Sequence, residues 1–297
     1  MTILQLKDNF LQYLQYEKRL SGHTVISYNT DLDQFISYLF ENYKIETIEG
    51  VNHLLIRSWV VSQMEQKISA RTINHKITAL KTFYKYLLRQ GVVTENPMPK
   101  IQTPKISKRL TVFVEKDNMD KLLDNVDFGD DFAGIRNQLM IELFYATGIR
   151  LAELVGLKQQ NVDMYNCTIK VLGKRNKERI IPFADSLKPR IKKYLAQKAK
   201  INNISETHFF VTEKGNKVYE KLVYRVINNY LSMITTVEKR SPHVLRHTFA
   251  THMLNNGADL NVIKELLGHS SLAATQVYTH NTVEKLKTVH KQAHPKA

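Results

Sequence analysis

The chain of 297 residues holds a single cysteine, Cys167. An internal disulfide is therefore impossible. No apolar run reaches the length of about 18 residues that a transmembrane helix needs. The Met1 start shows no basic segment followed by an apolar one, so no signal peptide is expected. These absences predict a cytoplasmic protein with no membrane partner. Internal repeats and low-complexity tracts are also lacking. Acidic residues are outnumbered: 28 Asp and Glu stand against 43 Lys and Arg, a net charge of +15 and a pI near 9.6. Residues 1–105 carry +4 and residues 106–297 carry +11, so neither part is acidic. A polyanion shared by both parts is the default partner, which predicts nucleoid association.

What is present divides in two. Residues 1–95 read as four helices, at 3–20, 24–43, 51–64 and 69–88, which predicts a small all-α bundle. Ser69 is the expected N-cap of the fourth helix, and Gly91 closes it. One face of that helix carries Ile73, Ile77, Leu80, Phe83, Tyr84 and Leu87. Arg71, His75, Lys81 and Lys85 read as a basic face suited to phosphate contacts, with Lys76 nearby and counted among the DNA contacts. Three of the seven prolines, Pro97, Pro99 and Pro104, fall in a linker at 96–112 that also carries Lys105, Lys108 and Arg109. A basic linker between two basic lobes predicts a two-lobed clamp on one duplex. Residues 113–297 read as mainly α with a small β-sheet, an α+β domain. Helices are expected at 116–126, 135–147, 187–200 and 218–233. Strands are expected at 161–171, 178–183 and 208–211, with Cys167 as a small core residue of the first. From Pro242 onward the chain reads as helical, broken at Gly257, Gly268 and 279–282.

The run from Ser241 to His280 concentrates His243, Arg246, His269 and Tyr278. Ser241-Pro242 is a helix start, which places His243 in the first turn and Arg246 one turn on, on the same face. The positive end of the helix dipole favours a neutral imidazole there, able to accept a hydroxyl proton. Gly268 is placed as a left-handed C-cap that turns His269 off its helix end. Ser270 or Ser271 then caps a short helix that contains Tyr278. Two histidines and an arginine converging on a tyrosine suggest phosphate chemistry with the hydroxyl as nucleophile. Arg150 follows Gly148 on a similar exit turn, and Lys174 occupies the tip of a predicted hairpin. A zinc site from His243, His247 and His252 lacks the acidic base of a His-Glu-x-x-His motif. No metal and no cofactor is expected.

The segments ATGIRLAELVGL, LGKRNKERIIP, HVLRHTFATHML, LLGH and TQVYTH, in that order, resemble the boxes of the tyrosine recombinases. The resemblance is closest to the Xer-type chromosome-dimer recombinases. It extends over nearly the whole chain, including SARTINHKITALKTFYKYL and the ending AHPKA. It implies a catalytic set of Arg150, Lys174, His243, Arg246, His269 and the nucleophile Tyr278. The two arginines would hold the non-bridging phosphate oxygens, joined by His269. His243 would act as base and Lys174 as acid on the departing 5′-oxygen. The product would be a 3′-phosphotyrosyl link. Arg175 stands where the family usually has glycine in the Lys174 hairpin, which leaves Lys177 as an alternative acid.

In the resembled family a tail such as that at about 282–297 docks on a neighbouring subunit, so the resemblance implies a homo- or hetero-tetramer on two duplexes. An activating DNA translocase is a further partner of that kind. The tail favours recombination over a type IB topoisomerase-like reaction. Within the family, dimer resolution competes with mobile-element integration. The absence of a further N-terminal module favours a simple-site enzyme.

Overall fold

The computed structural model describes residues 1–106, 112–173, 178–202, 204, 207–237, 239–268 and 280–296, leaving out the side chains of 280–285. The chain forms two compact units, Met1–Arg109 and Leu110–Ala297.

The first unit is all helix. Its helices are α1 Ile3–Gln12, α2 Gly22–Tyr43, α3 His53–Glu65 and α4 Ala70–Arg89. Each begins at a short polar side chain that accepts from an orphan backbone N–H: Thr2, Ser21, Asn52 and Ser69. The expected helix over 3–20 does not run straight. It passes at Tyr13 into a five-residue π turn that ends at Glu17. Phe10, Leu32, Phe35, Trp59, Ile77 and Phe83 form the centre of the core, each at most 1% exposed.

The second unit contains α5 Lys116–Asn125, α6 Phe132–Thr147, α7 Leu151–Val155, α8 Lys188–Lys198, α9 Glu220–Ile234, α10 Pro242–Asn255, α11 Leu260–Leu267 and α12 His280–Ala293. α6 packs against α8, α9 and α10, and every residue from Leu139 to Thr147 is buried. A helix apolar on all sides is a core element. It stops at Gly148, whose φ of 59° is the left-handed conformation that glycine adopts without a Cβ penalty.

The antiparallel sheet has the order β1-β2-β3, with β1 Val162–Asp163, β2 Thr168–Leu172 and β3 Glu178–Pro182. The single strand expected at 161–171 is thus two strands around a turn. Asp163 causes the break: its Oδ1 accepts from the N–H groups of Tyr165 and Asn166 at 2.9 and 2.8 Å. Cys167 is therefore not a strand core residue. It closes this turn at φ 53°, half-buried, and its thiol donates to Asp185 Oδ1. The strand expected at 208–211 is reduced to the isolated bridges Lys158–His208 and Val211–Lys217.

α12 begins inside the interruption expected at 279–282. The described part of the tail packs on its own unit. Leu286 and Ala293 join the core. His290 Nε2 donates to Ala146 O at 2.7 Å, and His294 Nε2 donates to Tyr145 O at 2.9 Å. These carbonyls lie in the last turn of α6 and have no helical partner. Lys296 pairs with Asp124 at 2.6 Å and Asp120 at 3.2 Å. Among the described residues, no helix is long and apolar enough to cross a membrane.

The tail contacts carry a pH dependence. His294 donates through Nε2, and its Nδ1 accepts from Lys296 N at 3.1 Å, so the ring must be neutral. Burial, and then the neighbouring His290, push its pKa down to about 3 from 6.5. The folded state favours the neutral ring, so this stabilisation is complete above about pH 6.5 and is lost as pH falls toward 3. Its slope approaches about 1.4 kcal/mol per pH unit within that window. Urea unfolding at pH 7.5 and pH 5 should show His294→Asn converging on the wild type as pH falls. A difference independent of pH would show that His294 does not titrate this way.

Candidate active site

The last turn of α11 is the meeting point of three arginines. A helix end leaves its final carbonyls without intrahelical donors. Leu266 O accepts from Arg179 Nε at 3.0 Å, Leu267 O from Arg246 Nη2 at 2.5 Å, and Gly268 O from Arg150 Nη2 at 2.7 Å. Gly268, with φ 63°, is the left-handed C-cap. Three consecutive carbonyls thus hold guanidinium groups from three separate parts of the chain, at the negative end of the helix dipole.

Each arginine has its own local cause. Arg150 is the N-cap of α7, two residues past Gly148, and its side chain is 30% exposed. Arg246 lies on α10, 7% exposed, and its Nη1 donates to Gly148 O at 2.5 Å. Gly148 thereby ends α6, supplies an acceptor for Arg246 and starts the turn to Arg150. Arg179 is on β3, opposite Val171 of β2, at a position that faces the core.

Glu153 is the common counter-ion. Its two oxygens accept from the Arg150 N–H at 2.8 Å, from Arg150 Nη1 at 2.9 Å, and from both Arg179 Nη atoms at 2.5 and 2.8 Å. A carboxylate has about four acceptor positions, and all four are used. Burial works against its charge, but the bonds and charge of Arg179, then those of Arg150, outweigh it and hold its pKa below the usual range. Among the described residues Arg246 has no carboxylate of its own. Burial, then repulsion from Arg150 and Arg179, pushes its pKa down to about 9, which leaves it protonated at neutral pH. Among the described residues, three guanidinium groups against one carboxylate leave two positive charges unneutralised within this cluster.

His243 is exposed in the first turn of α10, one turn before Arg246. Ser241 occupies the N-cap position there without a side-chain capping bond. Lys174, Lys177, His269 and Tyr278 lie outside the described residues, as do Arg175, Lys108 and Arg109. Of the six candidate catalytic residues, Arg150 and Arg246 meet at adjacent carbonyls, and His243 shares a helix with Arg246. Glu153 and Arg179 were not singled out from sequence. The available signal for Arg179 was the strand alternation, which puts it on the same inward face as Ile181.

On α4, Arg71, His75, Lys81 and Lys85 are exposed, as is Lys105 beyond it. His75 Nδ1 also contacts Asp31 Oδ2 at 2.7 Å. Lys76 does not belong to that face. It is 5% exposed, its Nζ donates to Gln34 and Gln63 Oε1, and it lies 5.7 Å from the Trp59 ring centre. The correction follows from the helical repeat: Lys76 lies five residues after Arg71, on the far side of a 3.6-residue turn.

Residues 112–285 match the Phage integrase family, and residues 8–91 match the phage integrase N-terminal SAM-like domain. Tyrosine recombinase XerC of Thermodesulfovibrio yellowstonii is 37% identical over 292 residues, covering 97% of this chain and 95% of the relative. Tyrosine recombinase XerC of Anoxybacillus flavithermus is 37% identical over 295 residues, covering 97% of each chain. Among solved structures, the XerH site-specific recombinase in a post-cleavage complex on palindromic difH substrate gives a TM-score of 0.71 at 22% identity, over 89% of this chain and 78% of that one. The Tn1549 transposon integrase with transposon right-end DNA also gives 0.71, at 18% identity, over 96% of this chain and 98% of that one. These two likenesses are of fold. The chain belongs to the phage integrase family and is an Xer-like site-specific tyrosine recombinase, an enzyme that cleaves and rejoins DNA strands.

A Cβ on Gly148 would lie 2.5 Å from Phe249 Cδ1 and 2.8 Å from a Leu267 methyl, on a backbone with positive φ. Gly148→Ala is expected to cost at least about 2 kcal/mol, from the left-handed backbone and the overlap together. Urea unfolding of the two proteins measures this. An unchanged midpoint would mean that the turn is not held as described.

Proposed function

We propose that this recombinase cuts DNA through a 3′-phosphotyrosyl intermediate at Tyr278. In this reading, Arg150 and Arg246 hold the non-bridging oxygens of the scissile phosphate, with His269 beside them. His243 takes the hydroxyl proton of Tyr278, and Lys174 protonates the departing 5′-oxygen. The observation that carries the reading is the pair of unneutralised positive charges at the end of α11. A phosphodiester brings one negative charge. Attack by the tyrosine oxygen builds a second on the same oxygens, so the cluster is matched to the transition state more than to the ground state. Arg150 and Arg246 each use two of five N–H donors among the described residues, leaving donors for a phosphate. His269 directly follows the capped turn. The covalent link retains the energy of the phosphodiester bond, so a second 5′-hydroxyl rejoins it without ATP.

The helical unit, 1–95, is read as the core-binding domain, with Arg71, His75, Lys81 and Lys105 exposed for phosphate contact. Lys108 and Arg109, on the linker 96–112, are read as further phosphate contacts. The unit 113–297 is read as the catalytic domain. The biological role is read as dimer resolution in the cytoplasm, on the nucleoid, by a tetramer on two duplexes. Curated XerC relatives matching along nearly the full chain support this over a mobile-element integrase. In such a tetramer the tail contacts of 286–296 would be exchanged for equivalent ones on a neighbour.

The test is a nicked suicide duplex carrying the site recovered from DNA bound in cells. Wild type should form a covalent adduct, Tyr278→Phe none, and Arg150→Ala or Arg246→Ala should form it about 100-fold or more slowly. An adduct that persists in Tyr278→Phe would overturn the nucleophile assignment.

A further inference from the structure

Resting on the catalytic reading above, we propose that Arg179 is a positioning residue for strand cleavage, setting the aim of Arg150 and of the turn that leads to His269.

Its side chain is 4% exposed, so it does not face a duplex. It makes three bonds: two to the Glu153 oxygens and one from Nε to Leu266 O. The forked pair fixes both carboxylate oxygens, which a lysine cannot do. The same oxygens receive the N–H and Nη1 of Arg150. Arg150 is therefore held from two sides: by Glu153, which Arg179 orients, and by Gly268 O, which ends the helix whose Leu266 O Arg179 also holds. Gly268 completes this arrangement. A Cβ there would lie 3.0 Å from Arg179 Cδ and 3.2 Å from Nε, so the arginine lies across the C-cap itself.

The charge argument agrees. Glu153 paired with Arg150 alone would remain a buried carboxylate with two of its acceptor positions unfilled. Its attraction for Arg150 would then compete with that of the substrate phosphate. With Arg179 occupying the carboxylate, Arg150 keeps donors for a substrate oxygen. Arg179 is the second residue of β3, so it ties the strand that follows Lys174 in sequence to the end of α11.

The experiment compares adduct formation on the nicked duplex by wild type, Arg179→Met, Arg179→Lys and the double variant Glu153→Gln with Arg179→Met. Each is read as a rate at saturating protein and as DNA affinity. A second duplex carries a methylphosphonate at the scissile position, which removes one anionic oxygen and so lessens the need for an aimed guanidinium. Arg179→Met is expected to slow the adduct about 30-fold or more with DNA affinity within about 3-fold, and Arg179→Lys to recover only part of the rate. The gap from wild type should narrow several-fold on the methylphosphonate. The double variant, which removes Arg179 and the charge of its carboxylate partner together, should be no slower than Arg179→Met.

Three results would overturn the proposal: a rate within about 3-fold of wild type, affinity falling in parallel with rate, or the same gap on both duplexes. If wild type itself gives no Tyr278-dependent adduct, the catalytic reading fails as well. If wild type reacts and Arg179→Met gives any of the three, only the positioning role fails.

Discussion

The end of α11 leaves three successive carbonyls in need of donors, and three arginines supply them. Each arginine comes from a different element: the cap of α7, strand β3 and the interior of α10. A misplaced α11 would leave buried carbonyls and buried charges unpaired together. Such unpaired groups cost more than the same bonds contribute when made. The turn at Gly268 is thereby fixed against the rest of the unit. Gly148 plays the complementary part at the end of α6, where its carbonyl takes a bond from Arg246 and its missing Cβ makes room for Phe249 and Leu267.

This arrangement concentrates positive charge where it is least comfortable. Arg246 is largely buried, sits beside two other guanidinium groups and, among the described residues, has no carboxylate of its own. Glu153 neutralises only one of the three charges. Carbonyl dipoles of α6 and α11 face the guanidinium groups and offset part of the remaining imbalance. A recombinase needs such a site to bind a phosphate weakly at rest and strongly as charge builds on its oxygens. The tail shows the same device at smaller scale. His290 and His294 donate to the last-turn carbonyls of α6, so a second helix end is capped by side chains from far along the chain.

Much of this was legible in the sequence because caps and breakers act locally. Ser69, Gly148 and Gly268 stand where composition placed them, and the apolar stripe of α4 is buried as its spacing implies. The resemblance of the boxes to tyrosine recombinases agrees with the family match. What failed depended on geometry beyond near neighbours. Lys76 was grouped with Arg71 by proximity in sequence, whereas its helical angle sends it to the core. Asp163 turned one expected strand into a hairpin through two side-chain bonds that alternation does not register. Arg179 was overlooked because an arginine beside charged neighbours reads as surface, and its partners lie 26 and 87 residues away. The contacts of the tail with its own unit, histidine bonds to α6 carbonyls more than 140 residues distant, are likewise recorded by no local pattern.

The central claim is that Arg150 and Arg246, held at adjacent carbonyls of one helix end, form a single phosphate site. The most direct measurement is an experimental structure of the protein bound to duplex DNA with vanadate trapped at the scissile position. The account predicts vanadate oxygens within hydrogen-bond distance of both guanidinium groups, with Glu153 and Arg179 still paired behind them. A vanadate centre contacted by neither arginine, or by Arg246 with Arg150 turned away, would contradict it.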